Sequence, residues 1–183
     1  MSDYRYEKSL IVAAAPDLVA SFFADGNAWF RLNPEWEVLA FRDDQLSVRY
    51  ERSETEAAWR ATRTDFGPTG GTVRFEGDAP RTLMLSWRPV AGGHTQLAYR
   101  EEFPAPIETA RLAELNLWLD ATAGYLALAA RGDRRGRAMR WVLDRFWLKL
   151  SPTARRVGLI VIAMEILALL LFVAILVVLR FTA

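Results

Sequence analysis

The feature that most constrains this chain is its last apolar run. From Val157 to Leu179 it reads VGLIVIAMEILALLLFVAILVVL, 23 residues with one charge, Glu165. As a helix it would be about 34 Å long, enough to cross a hydrocarbon core of about 30 Å. An amphipathic helix on a soluble core keeps a polar face, and this stretch has none. A membrane-spanning helix is predicted over 157–180, with a short tail over 181–183. The chain has 183 residues, so one ordinary domain fits ahead of the span. No basic-then-apolar leader stands at the start. The expectation is a tail-anchored, single-pass membrane protein.

Charge is graded along the chain. The formal net charge is +1, yet residues 1–130 carry 13 Lys/Arg against 19 Asp/Glu, and residues 131–156 carry 9 against 2. An acidic body is thus followed by a basic neck, 132–156. Basic flanks stay on the cytoplasmic side, which predicts an inner cell membrane location with the soluble domain in the cytoplasm. The neck's partner is then a bilayer with anionic lipids and no nucleic acid. Within it, AMRWVLDRFWLKL (Ala138–Leu150) places Ala138, Met139, Val142, Leu143, Phe146, Trp147 and Leu150 on one helical side. Arg137, Arg140, Asp144 and Arg145 fall on the other, as in an interfacial helix. The membrane-surface set is Arg137, Arg140, Trp141, Arg145, Trp147, Lys149, Arg155 and Arg156. The alternative is a helix that packs back on the body. Glu165 sits about 12 Å into the span, where a charge costs at least about 2.5 kcal/mol. It is either protonated or faces a polar group on other transmembrane subunits. Gly158 and Ala168 share its side and permit close approach.

Several chemistries are excluded. Cysteine is absent and His94 is the single histidine, which removes disulfides, thiol nucleophiles, zinc–thiolate sites and His-rich metal sites. His94 follows Gly92-Gly93 in a hairpin turn and reads as a turn residue. Gly67-Pro68-Thr69-Gly70 lacks the lysine and the following helix of a phosphate cradle. No metal and no cofactor are expected.

The body reads as an ordered series. Tyr4–Ala15 alternates as a strand. Pro16–Asp25 (PDLVASFFAD) is a short apolar helix with proline at its first position. NAWFRLNPEWEV (Asn27–Val38) holds a second short helix that stops at Asn33-Pro34. Strands follow at Trp36–Arg42, Leu46–Arg52, Ala58–Phe66, Gly71–Gly77, Thr82–Pro89 and Thr95–Phe103, with turn residues between them, including Asp78-Ala79 and Ala91-Gly92-Gly93. Leu83, Leu85 and Trp87 share one face, as do Leu97, Tyr99 and Phe103, so one side of the sheet is buried. Ile107–Arg131 is a long helix with a stripe of Leu112, Leu115, Leu119, Thr122 and Leu126. The fold class is α+β: a seven-stranded antiparallel sheet curled around a long helix, with two short helices at one end.

IVAAAPDLVASFFADGNAWFRLNPEWEV resembles the opening of the START-like superfamily, also called SRPBCC or the polyketide-cyclase and birch-allergen group. Ala15-Pro16, Val19, Phe22, Trp29, Phe30, Asn33, Pro34 and Trp36 carry the likeness, and the order of elements fits over 1–131. The resemblance implies a helix-grip domain with a hydrophobic pocket for lipids, sterols, quinones or polyketides. Trp29, Phe30 and Trp36 would sit at its mouth. Trp59, Phe75, Trp87, Tyr99, Leu115, Trp118, Leu119 and Thr122 would line it; the plain alternative for all of them is a packed core. Three functions stand open. One is a membrane-tethered carrier of an apolar small molecule such as a quinone, isoprenoid or lipid. Another is an accessory subunit of a membrane complex, docked through its helix. The third is a cyclase-type enzyme, for which Glu101, Asp65, Tyr99 or an arginine would be the available acid–base groups. Glu101 falls on the apolar Leu97/Tyr99/Phe103 face, either turned inward or wet at a strand end.

Overall fold

The computed structural model describes residues 4–77, 80–103 and 105–182. The strands are β1 (Tyr4–Val12), β2 (Trp36–Arg42), β3 (Gln45–Tyr50), β4 (Glu56–Gly67), β5 (Gly70–Gly77), β6 (Arg81–Val90) and β7 (His94–Phe103). They form one sheet in the order β1-β7-β6-β5-β4-β3-β2. Every neighbouring pair is antiparallel. The chain therefore starts at one edge, crosses to the other through α1 (Pro16–Asp25) and α2 (Asn27–Arg31), and meanders back. The long helix α3 (Thr109–Ala129) then lies across the concave face. This is the helix-grip fold expected from the sequence.

Local chemistry places the boundaries. The first strand stops at Val12, three residues short of the Ala15 expected. Ala15 is extended ahead of Pro16 and serves as the N-cap of α1, because a residue before proline is kept out of the helical region. Gly26, at φ 70°, closes α1 in the left-handed conformation and opens α2, which a side chain with a Cβ would resist. Asp43 and Asp44 both have positive φ, as a two-residue hairpin turn of the right hand requires. The Asp78-Ala79 turn, Pro104 and the terminal Ala183 lie outside the described residues.

The α3 stripe is buried as its spacing predicts. Leu115, Trp118, Leu119, Thr122 and Leu126 face the sheet and Leu112 is half-buried. Trp118 is central: its ring stacks on Trp29 at 4.9 Å and lies 5.2 Å from Trp36, and its Nε1 donates to the Trp29 carbonyl at 2.8 Å.

The neck departs from expectation. It is not one helix over 138–150: α4 (Arg134–Arg145) ends at a non-helical Phe146, and a 3₁₀ turn follows at Trp147–Lys149. The break lets the chain fold back. Leu148 becomes buried, and Trp147 lies 3.4 Å from where a Cβ on Gly158 would stand. The final helix α5 (Pro152–Thr182) runs unbroken through the expected neck–span boundary. Within it, Pro152–Val178 is long and apolar enough to cross a membrane, and none of its apolar window is buried.

Replacing Trp118 by alanine is predicted to destabilise the body by about 3–5 kcal/mol. Leu117→Ala, at a side chain 56 % exposed, should change stability by less than about 0.5 kcal/mol. Denaturant unfolding of the two variants checks the contrast.

Candidate functional site

All eleven residues assigned to a pocket converge on the space between the sheet and α3. Trp29, Phe30, Trp36, Trp59, Phe75, Trp87, Tyr99, Leu115, Trp118, Leu119 and Thr122 are all buried there. The aromatic rings among them form a series, which Trp87 joins through Phe23. Besides the Trp118 contacts, Trp36 lies 5.4 Å from Trp59, Trp29 5.0 Å from Phe30, and Trp59 6.1 Å from Phe75. The aromatic segment Asn27–Val38 therefore forms the roof of a filled interior, with Trp29, Phe30 and Trp36 pointing into it.

One end of this interior is charged. Glu101 is buried, with 1 % of its side chain exposed, so the wet strand-end reading is set aside. Its Oε2 accepts from the Tyr99 hydroxyl at 2.6 Å. Its Oε1 lies 3.3 Å from Arg81 Nε and 3.4 Å from Arg111 Nη2. Arg111 also meets Glu114 at 2.5 Å, and Glu114 accepts from Asn33 Nδ2 at 2.8 Å. Two arginines thus face two glutamates, which a buried charge requires. The guanidinium of Arg81 lies over Trp59 at 4.9 Å, Phe75 at 4.6 Å and Trp36 at 5.3 Å. A delocalised, weakly hydrated cation suits such faces.

The hydrogen-bond accounting of this cluster is one-sided. The Nε1 atoms of Trp36 and Trp59, Nε and Nη2 of Arg81, and Nε of Arg111 have no hydrogen-bond partner among the described residues. Arg81 Nε is at ion-pair distance from Glu101 but is not aligned as a hydrogen bond. Every one of these atoms is a donor. Buried polar atoms are paired in the great majority of cases, so these donors depart from the usual pattern, although the rings around them leave no cavity and the Tyr50 hydroxyl lies within hydrogen-bond reach of Arg81.

Titration follows the same environment. Burial pushes the Tyr99 phenol well above its ordinary 10.0, and the charge of Glu101 pushes it the same way. Burial would lower Arg111, but Glu101 and Glu114 outweigh it and hold the guanidinium charged.

The sequence places Glu101 and Tyr99 on one face and Asn33 at a helix stop, but does not single out Arg81, Arg111 or Glu114. Asp65 is exposed at positive φ near the β4–β5 turn, away from the cluster. His94 is half-buried in the β6–β7 turn, its Nδ1 2.8 Å from the Gly92 carbonyl. The described residues contain no group of three or more His, Cys, Asp and Glu placed to hold a metal ion.

The neck residues divide. Arg137, Arg140, Arg145 and Lys149 are exposed, as are Trp141 at 60 % and Phe146 at 55 %. Arg155 and Arg156 turn to the body instead. Arg155 Nη1 donates to the Arg31 carbonyl at 2.9 Å, and Arg156 Nη2 to the Pro34 carbonyl at 3.0 Å and to Glu35 Oε1 at 3.2 Å. Thr153 N donates to Glu51 Oε1 at 2.8 Å. The first turn of α5 is thereby tied to the segment that roofs the interior. Of the residues assigned to a helix partner, Gly158 is covered by Trp147, while Glu165 and Ala168 are exposed on α5.

No protein-family model matches the chain, and no curated protein matches it. Solved structures do. A protein from Chromobacterium violaceum superposes with a TM-score of 0.55 at 15 % identity, covering 67 % of this chain and 97 % of that one. A START superfamily protein from Mycobacterium smegmatis gives 0.52 at 19 % identity, covering 67 % and 96 %. The Zhui aromatase/cyclase from Streptomyces sp. R1128 gives 0.50 at 17 % identity, covering 76 % and 95 %. The body therefore has the START-type helix-grip fold, and at these identities the likeness is one of fold.

Removing the Glu101 charge leaves two buried guanidiniums short of a partner. Glu101→Gln should cost about 3–5 kcal/mol of stability, read by denaturant unfolding near neutral pH. Because the folded pKa of Tyr99 is raised, its contribution is complete below pH about 10, the unfolded value. It is lost as pH rises above that, while the unfolded phenol ionises and the folded one does not. Tyr99→Phe should flatten the alkaline fall in stability.

Proposed function

We propose that this chain is a membrane-tethered binding module for an apolar molecule that carries acceptor oxygens. A quinone-like head fits best, because its carbonyls accept and do not donate; isoprenoids or lipids with an oxygenated end are of the same class. The observation that carries this reading is the set of unpaired buried donors on Trp36, Trp59, Arg81 and Arg111, placed beside aromatic faces on which a flat ring can stack. The interior is filled in the present conformation, so binding requires the roof, α2 with Trp29 and Phe30, to yield. Helix α5 would hold the body at the bilayer, where an apolar guest is concentrated, and so raise its effective concentration. The tie between α5 and the roof sets the roof near the membrane in this reading. No acid–base step is assigned to Glu101, which is engaged by two arginines and a phenol.

Glu165 favours a second reading. It is the one acidic residue in an otherwise apolar span, and a carboxyl there is stabilised by a polar partner on another helix. An accessory subunit docked this way would lose its partner on Glu165→Leu, and co-purification reads that loss.

Extraction of the full chain in mild detergent, followed by native mass spectrometry, tests the main proposal. The expected result is a stoichiometric apolar mass that Trp36→Ala reduces. A chain that never carries such a mass, even after incubation with a short-chain benzoquinone, would contradict it.

A further inference from the structure

The fold-back of the neck creates a cleft that neither the body nor the neck has alone. It has a volume of about 550 Å³, within the range of small-molecule sites. Its wall includes Asp25 at the end of α1, Arg31 in α2, Leu39 in β2, Tyr125 in α3, Asp144 in α4 and Lys149 just before α5. It lies apart from the Glu101 cluster, none of whose residues line it.

The charges of this cleft are arranged as two cations and two anions. Tyr125 donates to Asp144 Oδ1 at 2.7 Å, which leaves Oδ2 available. Arg31 donates through Nε to Asn27 Oδ1 at 3.0 Å and through Nη1 to the Val38 carbonyl at 3.5 Å, neither of them an anion. Among the described residues, neither Asp25 nor Lys149 forms an ion pair. A simple anion here would meet two carboxylates, and a simple cation would meet an ammonium and a guanidinium. A ligand carrying both a phosphate and an amine complements all four groups. Leu39 adds an apolar wall, 43 % exposed. Lys149 leads in three residues to α5, and its neighbours Phe146 and Leu150 are exposed apolar side chains.

We infer that this cleft holds the head of a zwitterionic phospholipid, with its phosphate on Lys149 and Arg31 and its amine on Asp25 and the free oxygen of Asp144. The inference rests on the tether reading for the nearness of a bilayer. It is independent of any guest in the interior.

The full chain in neutral maltoside micelles is titrated with short-chain phosphatidylethanolamine, phosphatidylglycerol, diacylglycerol and phosphoethanolamine, and retention is read by native mass spectrometry. Phosphatidylethanolamine is expected to be retained at least about tenfold over the other three, the scale of one hydrogen bond to a charged group. Lys149→Glu should lower that retention about tenfold at unchanged melting temperature. Asp25→Asn, at an exposed side chain, should erase the preference over phosphatidylglycerol. Equal retention of the three lipids, or a preference for phosphatidylglycerol, overturns the assignment; the latter would point to a plain basic surface. Phosphoethanolamine binding as well as the lipid overturns the lipid as source. Quinone occupancy measured in the same spectra separates this result from the fate of the interior site.

Discussion

The structure depends on one buried carboxylate. Glu101 has almost no contact with water, and an ion moved out of water must be paired at several kcal/mol of cost otherwise. Its partners come from three separate parts of the chain: Arg81 at the start of β6, Arg111 in the first turns of α3, and Tyr99 on its own strand. Meeting that requirement brings the start of α3 over the ends of β6 and β7 that carry Arg81 and Glu101. Glu114 then extends the network to Asn33, and Asn33 Oδ1 accepts from the Glu35 amide at 2.9 Å. Glu35 in turn receives Arg156 at the base of α5. A single polar path thus links the middle of the grip with the start of the apolar helix.

Much of the fold was legible beforehand. The period-two faces of β6 and β7, the proline that opens α1 and the Leu115/Leu119/Leu126 stripe of α3 are local signals, and each appears where its spacing predicts. The charged cluster was missed because its members are distant in sequence, although each carried a phase signal. Arg81 is in step with Leu83, Leu85 and Trp87 on the inward face. Arg111 and Glu114 are in step with Leu115 and Trp118 on the inward stripe. A charge in phase with buried apolar neighbours is a buried charge, and its partner is another charge in the same phase on a different element.

The neck was less legible. Its composition suits a membrane surface, and Trp141, Phe146, Arg137, Arg140 and Arg145 remain exposed. The break at Phe146 is a tertiary effect: burying Leu148 and laying Trp147 on Gly158 outweighs continuing one helix. Nor could the composition reveal that Arg155 and Arg156 serve backbone carbonyls of the roof. Carbonyls at the end of a short helix lack internal partners, and the end of α2 recruits them from a segment more than a hundred residues away.

The central claim is that the unpaired donors inside the grip await an acceptor. Proton–nitrogen correlation spectra of the tryptophan indoles of the full chain in micelles, recorded with and without a short-chain benzoquinone, test it most directly. Trp29, Trp36 and Trp59, whose Nε1 atoms have no partner among the described residues, should shift on binding. Trp87, already donating to the Pro68 carbonyl outside the roof, should keep its hydrogen bond and move little. Indole resonances that all stay fixed, or all shift alike, would contradict the account and leave the interior as a packed core.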